Sequence, residues 1–230
     1  MTEAEWLASS SPTWLLSFLR ERISNRKGRL FACACCRRAS YLLKNEQIRK
    51  ALDVAEDYAD GLIADRVRQQ CQQEAWTPYL ALLHEPFCAM RGLACVVARD
   101  LLSPDDEVAS RRVHSGVANA LKRADIRRTI ESEQRALKAE LRAQCFLVYD
   151  VVGNPFHPVS LDAAWFGWND GTVVKLAQAI YDERAFDRLP ILADALEDAG
   201  CQEAAILDHC RRPGEHVRGC WAIDLLLGKS

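Results

Sequence analysis

With 230 residues and 49% apolar side chains, the chain can bury one large core or two modest ones without staples. Thirty lysines and arginines oppose 32 aspartates and glutamates for a formal charge of −2, so any attraction to nucleic acid or anionic membrane must be local. The start, Met1-Thr2-Glu3-Ala4-Glu5-Trp6, has no basic leader, and no segment approaches the ~20 apolar residues of a membrane span, so a cytoplasmic protein without a membrane partner is expected.

Apolar residues recur at three- and four-residue steps as far as Asp150, with little period-two alternation, which predicts an all-α, multi-helix bundle. Ser11-Pro12 reads as a cap with proline in the first turn, opening a stripe of Trp14, Leu15, Leu16, Phe18 and Leu19. After a break at Asn25 to Gly28, a second helix runs from Leu30 to Leu43, apolar over much of its circumference and therefore expected to be central. Ile48 to Leu62 repeats at helical spacing, followed by helices near Val67 to Glu74, Pro86 to Leu102 and Asp105 to Leu121, and by the long segment Ala124 to Asp150.

At Val152-Gly153-Asn154-Pro155-Phe156-His157-Pro158 the pattern stops, which places a boundary between a helical bundle over 1–152 and a loop plus helical subdomain over 153–230, the second expected to pack on the first as one unit. The irregular Pro/Gly/Trp loop continues through Trp165 and Trp168 to Asn169-Asp170-Gly171-Thr172, its aromatic residues pinning it to a core. Helices are expected from Val173 to Glu183, from Asp187 through Pro190 to a left-handed Gly200, after Cys201 to about His209, and from Glu215 to Leu227 after the turn Arg211-Arg212-Pro213-Gly214.

The ten cysteines are expected as thiols or metal ligands rather than disulfides. Cys201, Cys210, His216 and Cys220 form a candidate zinc set, with His209 as substitute ligand. On the expected last helix, His216 and Cys220 are four apart and share a face. Their Cys-x8-Cys-x5-His-x3-Cys spacing is that of CCCH zinc fingers with the last two ligand types exchanged. The same thiols also read as small buried apolar side chains. Cys33, Cys35 and Cys36 diverge by about 100° per residue on a helix, so one ion cannot hold all three, and a helix seam explains them better.

Basic side chains at Arg20, Arg22, Arg26, Lys27, Arg29, Arg37 and Arg38, or at Arg211, Arg212 and Arg218, offer phosphate contacts, although a solvated helix end and turn explains the first stretch better. Dinucleotide, phosphate-loop, zincin and serine-hydrolase motifs are absent, and no catalytic residue is assigned. Asp162, Asp170, Asp182, Glu183 and His157 lie around the irregular loop, and each also reads as a cap or a surface charge.

The runs Leu30-Phe31-Ala32-Cys33-Ala34-Cys35-Cys36-Arg37-Arg38, Trp168-Asn169-Asp170-Gly171-Thr172-Val173-Val174, Ile191-Leu192-Ala193-Asp194-Ala195-Leu196-Glu197-Asp198-Ala199-Gly200-Cys201 and His216-Val217-Arg218-Gly219-Cys220-Trp221 together resemble a family. Thr2 to Leu7 and Gly153-Asn154-Pro155-Phe156 belong to the same resemblance. The family is one of uncharacterised proteins multiplied within genomes of planctomycete bacteria. The resemblance carries no activity, ligand or site residue. Multiplication within genomes suits interaction or regulatory modules more than housekeeping enzymes.

Three functions are therefore carried forward. The first is a helical module that binds another protein, the second a zinc-stabilised module with nucleic-acid contact through Arg211, Arg212 and Arg218, and the third an enzyme with a pocket near Trp165 and Trp168.

Overall fold

A computed structural model describes residues 1–42, 46–81, 96–104, 106–122 and 129–230. Among these residues every regular element is helical and there is no strand. By its internal contacts the chain divides into two units, Met1–Val148 and Tyr149–Ser230. No described helix is long and apolar enough to cross a membrane.

In the N-terminal unit, α1 (Glu3–Leu7) opens with a capping box. Thr2 Oγ1 accepts from the Glu5 amide, and the Glu5 carboxylate accepts from the Thr2 amide at 2.7 Å. Helix α2 (Pro12–Phe18) starts as expected, with Ser11 accepting from the Trp14 amide and Pro12 in the first turn. Helix α3 (Asn25–Arg38) is capped by Ser24 and buried without interruption from Gly28 to Cys36. That continuous burial makes it the centre of the unit, packed on α4 (Glu46–Ala59) and α6 (Asp106–Lys122).

Helix α5 (Asp65–Ala81) and a π-helical segment, Val96–Leu101, pack on α4. The expected helix from Pro86 to Leu102 falls, as far as residue 95, outside the described residues, and so do the first residues of the segment expected from Ala124. Helix α7 (Ile130–Val152) carries the rest of that segment. Two buried arginines satisfy the carbonyls that end the π-helical segment, as the missing intrahelical partners there require. Arg29 donates to the Leu101 carbonyl at 2.5 Å and to the Ser103 carbonyl at 2.8 Å, while Arg68 donates to the Leu102 carbonyl. Both guanidinium groups lie over the Tyr58 ring, at 5.1 and 5.4 Å.

The C-terminal unit places five short helices on one apolar core. They are α8 (Ala163–Gly167), α9 (Thr172–Glu183), α10 (Leu189–Asp198), α11 (Ala204–Arg211) and α12 (Trp221–Leu227). The core joins Trp165 and Val173 to Leu192, Leu196, Ile206, Ile223 and Leu226. Trp168 packs against it, so the aromatic loop is pinned as its composition implies. Asn169, Asp170 and Gly171 take left-handed backbone conformations, which Asn, Asp and Gly tolerate best, and the chain turns through them into α9. Gly200 is left-handed at φ +89°, and the Cys201 amide reaches back to the Leu196 carbonyl, closing α10.

One expectation is corrected here. The last helix begins at Trp221, not Glu215, because Gly214 (φ +152°) and Gly219 (φ +94°) hold the intervening segment in a loop. His216 and Cys220 therefore meet through a loop and a helix cap, not as neighbours on one helix face.

Gly153 ends α7 at φ +76°, its amide bonded to the Tyr149 carbonyl at 2.9 Å. A Cβ placed there would lie 3.0 Å from Trp221 Cγ. Gly153→Ala is expected to cost about 1–3 kcal/mol, from left-handed strain and from pressure on the indole. Denaturant unfolding of the full chain measures it, and a variant as stable as the parent would show that neither constraint holds.

Candidate metal centre

Asp150 occupies the last turn of α7 inside the apolar run Cys145 to Val152, and its carboxylate is fully buried. A buried carboxylate needs partners, because an isolated one is too costly to keep charged. It has three in the C-terminal unit. Oδ1 lies 2.5 Å from His216 Nδ1 and 3.3 Å from His209 Nε2, and Oδ2 accepts from the Val217 amide at 3.0 Å. Helix α11 supplies His209, the loop after it supplies His216, and Cys220 is the residue that caps α12. His209 Nε2 also lies 3.1 Å from Cys220 Sγ.

Asp150, His209, His216 and Cys220 thus each bring one ligand-type atom into a space where all lie within 4.8 Å of one another. Hydrogen-bond polarity fixes the proton positions. The Arg212 carbonyl, 3.2 Å from His216 Nε2, can only accept, so that nitrogen carries a proton. The Trp221 indole can only donate, and it does so to His209 Nδ1 at 3.0 Å, so the proton of a neutral His209 sits on Nε2, facing Asp150 and Cys220.

Charge follows the same geometry. Burial pulls the His216 pKa down, but the hydrogen bond and charge of Asp150, with the Arg212 carbonyl, outweigh it and raise it above the ordinary histidine value. For His209 burial wins over Asp150 and lowers the pKa, leaving a neutral ring. Burial pushes the Asp150 carboxyl up, and hydrogen bonds from both histidines, then their charge, bring it below the usual value. The Cys220 thiol is raised well above its usual value by burial, then by the Asp150 charge. Without an ion the group is a complete hydrogen-bonded network built on an Asp150–His216 ion pair, with neutral His209 and Cys220 beside it.

Of the residues singled out from the sequence, His216, Cys220 and the substitute His209 come together. Cys201 and Cys210 lie in the apolar core, outside the convergent group. Burial raises both thiols, that of Cys210 to about 12. Asp150 was not among the sequence candidates. Its signal was a lone carboxylate in an apolar helical run just ahead of Gly153-Asn154-Pro155.

The other sequence candidates have local roles. Cys33, Cys35 and Cys36 are fully buried in α3, their thiols raised chiefly by burial. Arg26 pairs with Asp60, Arg37 with Glu56 and Asp53, and Arg38 with Glu140, so much of the N-terminal basic stretch is neutralised within its unit. Arg20 and Arg22 are exposed, and Lys27 is half-buried. Arg211 binds Asp194 and Glu197, Arg218 lies over the Tyr181 ring, and Arg212 is exposed. Asp162 caps α8, Asp182 accepts from Gln178, Glu183 pairs with Arg188, and His157 is exposed.

Comparison with known proteins yields no relative: no family model, no curated protein and no solved structure matches the chain.

Proposed function

We propose that the C-terminal unit is a metal-binding module that holds one zinc-class divalent ion through Asp150, His209, His216 and Cys220. The observation that carries this reading is the convergence of four different ligand residues, from three separated stretches of chain, within 4.8 Å. An N, N, O, S donor set of this kind suits zinc, which accepts imidazole, carboxylate and thiolate in tetrahedral geometry. Ligand atoms around tetrahedral zinc lie roughly 3.3–3.6 Å apart. The His209–Asp150 separation of 3.3 Å matches, and the 2.5 Å His216–Asp150 hydrogen bond opens by about 0.8 Å as its proton gives way to the ion.

The protein side chains supply four donors, and Asp150, His209 and Cys220 are buried. Closed four-ligand sites are structural, so the ion's role is to lock the loop carrying His216 and the start of α12 against α7 and α11. His216 already has the outer support such a site uses, with its distal N–H held by the Arg212 carbonyl. This refines the ligand set expected from the sequence, exchanging Cys201 and Cys210 for Asp150 and His209.

A second reading is favoured by the Trp221 hydrogen bond, which suits the metal-free protonation state: a buried carboxylate bridging two imidazoles, with no ion. Cobalt(II) separates the two. Added to chelator-stripped full chain, it is expected to give the visible bands of tetrahedral cobalt and a thiolate charge-transfer band. Cys220→Ser is expected to abolish the latter and to weaken binding by more than about 100-fold, since losing a ligand costs more than losing its outer partner. A stripped chain that gives no such spectrum would leave the proton-only network as the correct reading.

A further inference from the structure

We propose that Trp221 opposes and reports metal loading, because binding at His209 requires its ring proton to change nitrogens and so breaks the indole hydrogen bond. The inference rests on the metal reading above and adds to it a coupled movement at the start of α12.

A neutral imidazole carries one proton. In the structure Nδ1 of His209 accepts from the indole N–H at 3.0 Å, which puts that proton on Nε2. Nε2 is also the nitrogen that faces Asp150 Oδ1 at 3.3 Å and Cys220 Sγ at 3.1 Å, and thus the one a metal would take. A metal bound there needs the Nε2 lone pair. The Nε2 proton then leaves and Nδ1 takes one up, with no net change in the charge of the ring. The result sets an Nδ1–H against an indole N–H, two donors with no acceptor between them, since the indole nitrogen offers no lone pair. The contact cannot persist at 3.0 Å.

His216 faces no such conflict. Its Nε2–H already points at the Arg212 carbonyl and its Nδ1 already points at the site. The two histidines therefore differ in readiness, and the difference lies in their outer partners: a carbonyl fits a metal-bound ring, and an indole N–H does not.

The indole has one direction barred to it. Its ring lies against Gly153, where even a Cβ would come within 3.0 Å of Cγ. Its movement on loading is outward from His209, at the first residue of α12. Loading thereby alters the partly buried surface around Trp221, and the indole hydrogen bond sets the metal affinity below what the four ligands alone would give.

The test uses stripped full chain. Zinc affinity is measured by competition with a chromophoric chelator, tryptophan emission is followed in the same titration, and cobalt spectra report ligation independently. Trp221→Phe is expected to bind zinc about tenfold more tightly, the equivalent of one neutral hydrogen bond removed from the competing state. The wild-type emission change on zinc binding should be absent from the variant. Imidazole 15N shifts of the wild type give a readout that needs no variant, and His209 should pass from the Nε2–H to the Nδ1–H tautomer on loading. Unchanged or weaker zinc binding by Trp221→Phe, or a His209 tautomer that does not change, would overturn the inference while the cobalt spectrum still upheld the metal site. A wild type without that spectrum would overturn both.

Discussion

Replacing Asp150 by alanine is expected to lower the stability of the chelator-stripped chain by about 3–5 kcal/mol, the cost of removing one partner from a buried ion pair. The carboxylate is fully buried and takes hydrogen bonds from His216 Nδ1–H and the Val217 amide, with His209 Nε2 3.3 Å from Oδ1. Without it two donors, His216 Nδ1–H and the Val217 amide, lose their acceptor at once, and the positive charge on His216 loses the group that raises its pKa. Deprotonation of His216 relieves part of that loss, which keeps the expected effect within the stated range. Asp150→Asn keeps the shape and one carbonyl acceptor, so about 2–3 kcal/mol is expected there. Denaturant unfolding followed by circular dichroism checks both variants. An alanine variant within about 1 kcal/mol of the parent, an ordinary surface effect, would show that Asp150 is not the hub of the group.

Secondary structure was legible because helical periodicity is local. Ser11-Pro12 gives the start of α2, and apolar residues over much of the circumference of α3 give its burial. Gly200 gives the end of α10. The cluster was half legible, for two physical reasons. Cysteine is both a ligand and a small apolar side chain, and spacing alone did not tell Cys201 and Cys210, which fill the core, from Cys220, which faces the histidines. Asp150 lies 66 residues from its partner His216, and no short-range pattern records that pairing. The helix expected from Glu215 also concealed the geometry. That helix would run through Gly219, whereas the positive φ values of Gly214 and Gly219 shape the loop that delivers His216 and Cys220. The basic stretch was legible only as charge, since arginines near one another in sequence pair with acids remote in sequence, such as Asp60 and Glu140.

Zinc is expected to stabilise the full chain by about 4 kcal/mol when free metal exceeds its Kd by about 1,000-fold, and the effect should grow as pH rises from about 6 to about 8. In the stripped chain the two histidines pull in opposite directions. His216 has a raised folded pKa, so its contribution is present in full below about pH 6.5 and is lost as pH rises through the folded value. His209 has a lowered one, so stability falls as pH drops below about 6.5 and the unfolded ring takes up a proton that the buried ring refuses. Asp150, with a lowered pKa, adds a further loss only when pH falls below about 3.9. Cys220, raised well above its usual value, stays neutral across this range, and Arg212 adds a constant positive charge that opposes protonation of His216. The stripped protein should therefore be most stable near about pH 6.5. Zinc must displace the proton between His216 and Asp150 and the Cys220 thiol proton, so its affinity rises with pH over the interval in which the stripped protein weakens. Melting curves of stripped and zinc-loaded chain should accordingly separate further at about pH 8 than at about pH 6, by several degrees for each added kcal/mol. A separation that narrowed with rising pH would mean that zinc is held by groups other than these imidazoles and this thiol.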